Sequence, residues 1–321
     1  MNLTGAIIEA AERIRPHVRE TPFFESTGIS EVVLTQVFLK LENLQVTGSF
    51  KARGALNKIL GLSGAERARG VVTASSGNHG AAVANAGRQA GLSPTVFLPE
   101  NAAPIKVDTI RKLGARVEFF GDDSGLTELH ARKVAGAGGQ VYVSPYNDFA
   151  VVAGQGTIGL EMLAQCPTLS AVVVSVGGGG LIGGIASYLK AIRPGMLVIG
   201  SSPRNSCVMA ESVRRGEILD LPSLPTLSDG TAGGVEPGAV TFELCRDLVD
   251  EYDLPSEEEI AAAMRLAFDA ERLVVEGAAG VAIATAIRRR DRLAGKVVGV
   301  LLCGGNVGAA EWSAAVGATG P

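Results

Sequence analysis

Ala171-Val172-Val173-Val174-Ser175-Val176-Gly177-Gly178-Gly179-Gly180-Leu181-Ile182-Gly183-Gly184 is the stretch whose reading decides the fold. From residue 171 to residue 189 there is no charge, and the segment is long enough to imitate a membrane span. Its chemistry argues otherwise. Val172-Val173-Val174 is a β-branched run of strand type, and the glycines at 177–180, 183 and 184 interrupt any long helix. A buried strand, a glycine loop and a helix beginning near Leu181 fit better. Four consecutive glycines let several N–H groups turn toward one anion, and a helix N-terminus adds a favourable dipole. An ordinary tight turn needs fewer.

Outward from that stretch, short apolar runs alternate with helical ones. The strand candidates are residues 71–73, 95–98, 117–120, 141–143, 172–174, 197–199 and 297–302. Runs that are continuously apolar, rather than alternating, belong to sheets covered on both faces, so an α/β fold with mainly parallel strands is expected. Residues 81–90 read as a helix, and Ser256 with Glu259 has the spacing of a capping box opening another. Residues 65–147 read as a compact βα unit of their own. There is no internal repeat and no disordered linker.

Composition narrows the function. A chain of 321 residues accommodates two lobes more readily than one core. Hydrophobic residues make up 46% and charged residues 19%, a globular balance, and the 42 glycines gather in loops. The net charge of −4, with no basic block, points away from nucleic acid and from anionic membranes. Cys166, Cys207, Cys245 and Cys303 lie far apart without a CxxC pair, which argues against a zinc site and a disulfide framework. His17, His79 and His130 are too few for a histidine-based metal site. Met1-Asn2-Leu3-Thr4 has no signal-peptide pattern, so a soluble, cytoplasmic protein is expected.

Three motifs carry the chemistry: Lys51 within Thr47-Gly48-Ser49-Phe50-Lys51-Ala52-Arg53-Gly54, the loop Ser75-Ser76-Gly77-Asn78-His79-Gly80, and Gly177 to Gly180. Together they offer a lysine to hold an aldehyde as an imine, a polar loop for a carboxylate and a glycine cradle for a phosphate. In this order, over nearly the whole chain, they resemble the pyridoxal-phosphate-dependent threonine/serine dehydratase and serine racemase family, of tryptophan-synthase-like fold type II. The resemblance implies two lobes, with two mainly parallel twisted sheets flanked by helices. Residues 1–64 plus 148–321 would form the large cofactor-binding lobe, and 65–147 a small mobile one. It implies pyridoxal 5'-phosphate as cofactor, an amino-acid substrate and a homodimer.

By the same resemblance Lys51 would hold the cofactor and act as base, with Phe50 walling the ring. Ser75, Ser76, Asn78 and His79 would bind the substrate carboxylate, with Asn78 also near the ring 3-oxygen. Ser76 matches the racemases' second acid/base, although Ser75 or Ser76 could equally be a plain N-cap. Cys303 stands where the family usually has a serine at the ring nitrogen; a thiol is the weaker partner, and Cys303 could also be a small core residue. The metal site of mammalian-type serine racemases has Ser202 and Val208 in place of its carboxylates, so no metal is expected there. The chain ends at Pro321, and a regulatory domain with isoleucine feedback is not expected.

The implied reaction is α,β-elimination on a β-hydroxy-α-amino acid such as L-threonine or L-serine, giving a 2-oxo acid and ammonia. Leu227 to Gly234 and Val235-Glu236-Pro237-Gly238 further resemble dehydratases of hydroxyectoine utilisation, where an opened or deacetylated β-hydroxy diamino acid would be the substrate. Three alternatives stay open. One is an amino-acid racemase using Ser76. Another is an NADP-dependent oxidoreductase, since Gly178 to Gly183 satisfies GxGxxG; no acidic residue follows about 20 residues on, but Arg204 does. The third is a non-catalytic ligand-binding homologue.

Overall fold

The computed structural model describes residues 2–317; Met1 and residues 318–321, including the chain end at Pro321, lie outside the described residues. The strands are β1 (Phe23–Glu25), β2 (Gln36–Leu41), β3 (Val71–Ala74), β4 (Thr95–Leu98), β5 (Arg116–Phe119), β6 (Val141–Tyr142), β7 (Ala171–Ser175), β8 (Leu197–Ser201), β9 (Glu251–Asp253) and β10 (Val297–Leu302). They form two sheets, one ordered β1-β2-β10-β7-β8-β9 and the other β5-β4-β3-β6. Every pairing is parallel except that of β1 with β2. The mixed α/β architecture with two mainly parallel sheets is as expected.

The uncharged stretch at 171–189 resolves into β7, a glycine loop and the helix Gly180–Ile192. All of β7 and β8 is buried, because helices cover both faces of the sheet. The helices Phe149–Gln165 and Gly180–Ile192 touch backbone to backbone. A Cβ on Gly184 would come within 2.4 Å of the Val152 carbonyl oxygen, so small residues in this segment allow the approach. Among the described residues no helix is long and apolar enough to cross a membrane.

Three strands escaped the sequence reading. β1 and β9 are short edge strands carrying charges. β2 lies beside β10 in the sheet interior, and Lys40 near its end hid it. That lysine is fully buried; its Nζ donates to the Thr21 carbonyl at 2.7 Å, Glu161 Oε2 at 2.6 Å and Gln165 Oε1 at 2.9 Å. The helix expected over 81–90 starts earlier, running Asn78–Gln89. Its N-cap is Gly77, with no side-chain bond, so neither Ser75 nor Ser76 is a plain N-cap. Ser75 Oγ instead accepts from the Gly77 N–H at 3.2 Å. The expected capping box of Ser256 and Glu259 opens the helix Glu257–Glu271.

Candidate active site

The loops that follow β3, β7 and β10 leave the carboxyl ends of parallel strands, where open α/β sheets bind ligands. They converge with the start of the helix Lys51–Leu60 on one cavity of about 880 Å³. Phe50, Lys51, Ser75, Ser76, Asn78, His79, Gly177 to Gly180 and Cys303, the whole set expected from the sequence, line it.

Lys51 is the first residue of its helix, and its Nζ donates to the Pro145 carbonyl at 2.9 Å. Nζ also lies 5.1 Å from the centre of the Phe50 ring. Burial pulls the ammonium pKa down to about 8, against the opposing pull of the carboxylates of Glu276 and Glu128. Two residues on, fully buried Arg53 ties this helix to its neighbours. It bonds Glu42 through Nε and Nη2, both at 2.8 Å, and Glu161 through Nη1 at 2.6 Å.

The glycine run makes a bare helix start. Gly179, at φ +83°, is the N-cap of Gly180–Ile192 and provides no side-chain bond. The first N–H groups of that helix are thereby left for a ligand. A Cβ on Gly178 would meet the Tyr146 ring at 2.4 Å, and Thr241 Oγ1 donates to the Gly178 carbonyl at 2.6 Å, which fixes the loop. The helix starting at Asn78 is likewise uncapped by any side chain and opens on the same cavity. His79 has its ring committed elsewhere: Nε2 lies 2.9 Å from the Val143 carbonyl, and burial together with Lys51 lowers its pKa to about 3. The neutral imidazole donates to Val143, so the expectation that His79 binds substrate reduces to its backbone N–H.

Cys303 is 1% exposed, and burial pushes its thiol pKa up, so it stays protonated. Its Sγ sits 3.9 Å from Glu276 Oε1. Glu276 lines the cavity too, outside every stretch singled out in sequence, as do Tyr146 and Asn306, which lie in the family-like stretches 144–148 and 301–306 but were given no role. A signal for Glu276 was available: it is the one charge between Leu273 and Ile287. Burial raises its pKa to about 7. At the cavity edge, Arg132 of the helix Ser124–Gly138 pairs with Glu128 at 2.8 Å and with Glu236 at 2.5 Å, and Asn147 Nδ2 adds a bond to Glu236 at 2.9 Å.

A phosphorylated aldehyde fits this donor set. The cavity offers two helix starts without side-chain caps, a lysine of lowered pKa and a protonated thiol, donors of the kinds that a phosphate, a carboxylate, an aldehyde and a ring nitrogen call for. At the position that corresponds to the racemase-type metal site, Ser202 Oγ donates to the Val176 carbonyl at 2.8 Å. Among the described residues no group of three or more His, Cys, Asp or Glu could hold a metal ion.

Comparison with known proteins agrees with that donor set. The family model described as "Pyridoxal-phosphate dependent enzyme" matches residues 14–304. The chain is similar to the L-threonine ammonia-lyase of Thermotoga maritima, 42% identical over 301 residues, covering 94% of this chain and 75% of that one. Its fold is similar to that of the processed threonine deaminase isoform 2 of Solanum lycopersicum, with a TM-score of 0.94 and 31% identity over 99% of this chain and 94% of that one. Maize serine racemase superposes with a TM-score of 0.90, at 33% identity over 95% of this chain and 94% of its own.

Proposed function

This chain belongs to the pyridoxal-phosphate-dependent enzymes, and from that premise we propose that it eliminates water and then ammonia from a β-hydroxy-α-amino acid. L-Threonine and L-serine are the first substrates to test. The observation that carries this reading is that the Lys51 amine opens into one cavity between two helix starts, neither capped by a side chain. One anion site suits the cofactor phosphate and the other the substrate carboxylate. The family match leaves the dinucleotide reading of Gly178 to Gly183 without support.

When bound, pyridoxal phosphate supplies the electron sink for breaking the bond to the α-hydrogen. Gly177 to Gly180 hold its phosphate through backbone N–H groups, Lys51 holds its aldehyde, Phe50 flanks its ring and Cys303 offers a thiol to its nitrogen. Ser75, Asn78 and the His79 backbone hold the substrate carboxylate. That fixes the α-carbon beside Lys51 Nζ, which takes the α-proton and gives it up to the departing β-hydroxyl. The β-hydroxyl departs as water, and hydrolysis of the released enamine returns a water as ammonia leaves. Tyr146, lying over the glycine loop, and the Arg132–Glu236 pair exclude bulk water from this corner. Residues 65–147 act as the small lobe that closes over the cavity, in a homodimer. The resemblance of the 227–238 segment to dehydratases of hydroxyectoine utilisation makes a β-hydroxy diamino acid the next substrate to try.

A second reading, racemisation, rests on Ser76, whose residue lines the same cavity. Incubation with L-serine and L-threonine separates the two. Equimolar 2-oxo acid and ammonia mark elimination, whereas accumulation of the D-amino acid or the α-epimer marks racemisation. Neither product from any β-hydroxy amino acid tried would end the proposal.

A further inference from the structure

Glu276 is a buried carboxylate that the steps above leave without a task. It immediately precedes the helix Gly277–Arg288, is 4% exposed and lies in the cavity wall. Asn78 Nδ2 donates to both of its oxygens, at 3.0 and 3.1 Å. At the other end of the same amide, Asn78 Oδ1 accepts from Asn306 Nδ2 at 2.6 Å, and that Nδ2 also donates to the Thr47 carbonyl at 2.8 Å. An amide held at both ends has only one orientation, with oxygen toward the donor and nitrogen toward the carboxylate. Near-equal distances to two carboxylate oxygens suit one N–H shared between them, which leaves the second Nδ2 hydrogen for the cavity.

We propose that Glu276 is a positioning residue: acting through Asn78, it aims that remaining N–H and the first turn of the helix Asn78–Gln89 at the bound cofactor and substrate. The surrounding backbone is built for this contact. A Cβ on Gly304 would fall 2.4 Å from Glu276 Oε1, so the carboxylate packs on bare backbone, and the Glu276 N–H donates to the Gly304 carbonyl at 3.2 Å. Asn78 follows β3 of the four-stranded sheet, while Asn306 and Thr47 flank strands of the six-stranded one. The clamp therefore spans the cleft and registers one side against the other.

The inference rests on the reading that this cavity binds pyridoxal phosphate. Its test compares wild type, Glu276→Gln, Asn78→Ala and the double variant for cofactor affinity, for the visible band of the bound cofactor, and for kcat and KM, with circular dichroism to check folding. A glutamine at 276 brings its own amide donor against that of Asn78. The expected result is about tenfold weaker cofactor binding, a shifted band, and a KM for the amino acid that rises more than kcat falls. The double variant should be no worse than Asn78→Ala alone, because the two residues act through one contact. Additive losses, or a Glu276→Gln protein with wild-type affinity and band, overturn the proposal. Glu276→Asp, which keeps the charge but withdraws the carboxylate, carries the same test should the glutamine variant not fold. A wild-type protein that takes up no pyridoxal phosphate sinks the functional reading instead.

Discussion

Burial penalises the Lys51 ammonium and brings its pKa down to about 8 from an ordinary 10.5. The sign follows directly: the neutral amine, the form that attacks an aldehyde, becomes abundant as pH rises through about 8 instead of near 10.5. Uptake of pyridoxal phosphate by the apoprotein should therefore accelerate between pH 7 and 9 and then level off, as followed by visible absorbance. A rate still climbing steeply beyond pH 10 would contradict that environment. Gly179→Ala probes the other end of the site. Its φ of +83° costs an L-residue about 1–2 kcal/mol, and the added methyl would lie 2.7 Å from Cys245 Sγ. Cofactor affinity, read by titration, should fall while the protein remains folded; unchanged affinity would remove this loop from phosphate binding. These residues could be singled out in sequence because a lysine among small residues and a run of four glycines are unusual local compositions, and both line the cavity. Glu276 was not, since its task depends on Asn78, 198 positions away.

At the scale of elements, the helix bearing Lys51 is held in place by a buried ionic cluster rather than by apolar contact alone. Arg53 pairs with Glu42 and Glu161, and Lys40 shares Glu161. Removing one member strands the others without compensation. Arg53→Met should cost about 3–5 kcal/mol of stability, measured as a lowered midpoint in urea; a loss below about 1 kcal/mol would mean that the carboxylates find other partners. The same cluster explains why elements were unequally readable. β7 and β8 are continuous apolar runs and announce themselves. β2 carries charged Lys40 inside its buried run, and the partner Glu161 comes from a helix 121 residues on. The start of the helix Asn78–Gln89 was misplaced for a local reason: Gly77 caps it without the side-chain bond that usually marks a helix start.

Over the whole molecule, two parallel sheets present their carboxyl ends to one cavity, and the contacts that join them cross it. The Asn78 clamp is one such contact; beside the cavity, Arg132, which also pairs with the cavity-lining Glu128, bridges to Glu236. If the unit at 65–147 closes over substrate, Arg132→Ala should raise KM for the amino acid severalfold with a small change in kcat. Both partners of that pair are partly exposed, so stability should change by less than about 1 kcal/mol. An unaltered KM would show that closure does not use this pair. The parallel sheets followed from the apolar runs, but their division into a four-stranded and a six-stranded sheet did not, because no linker composition marks the passage. The account rests above all on the covalent partner of the cofactor. The most direct measurement is borohydride reduction of the protein with bound pyridoxal phosphate, followed by peptide mapping. A single pyridoxyl group on Lys51 is the predicted result; a label on another lysine, or none at all, would contradict the account.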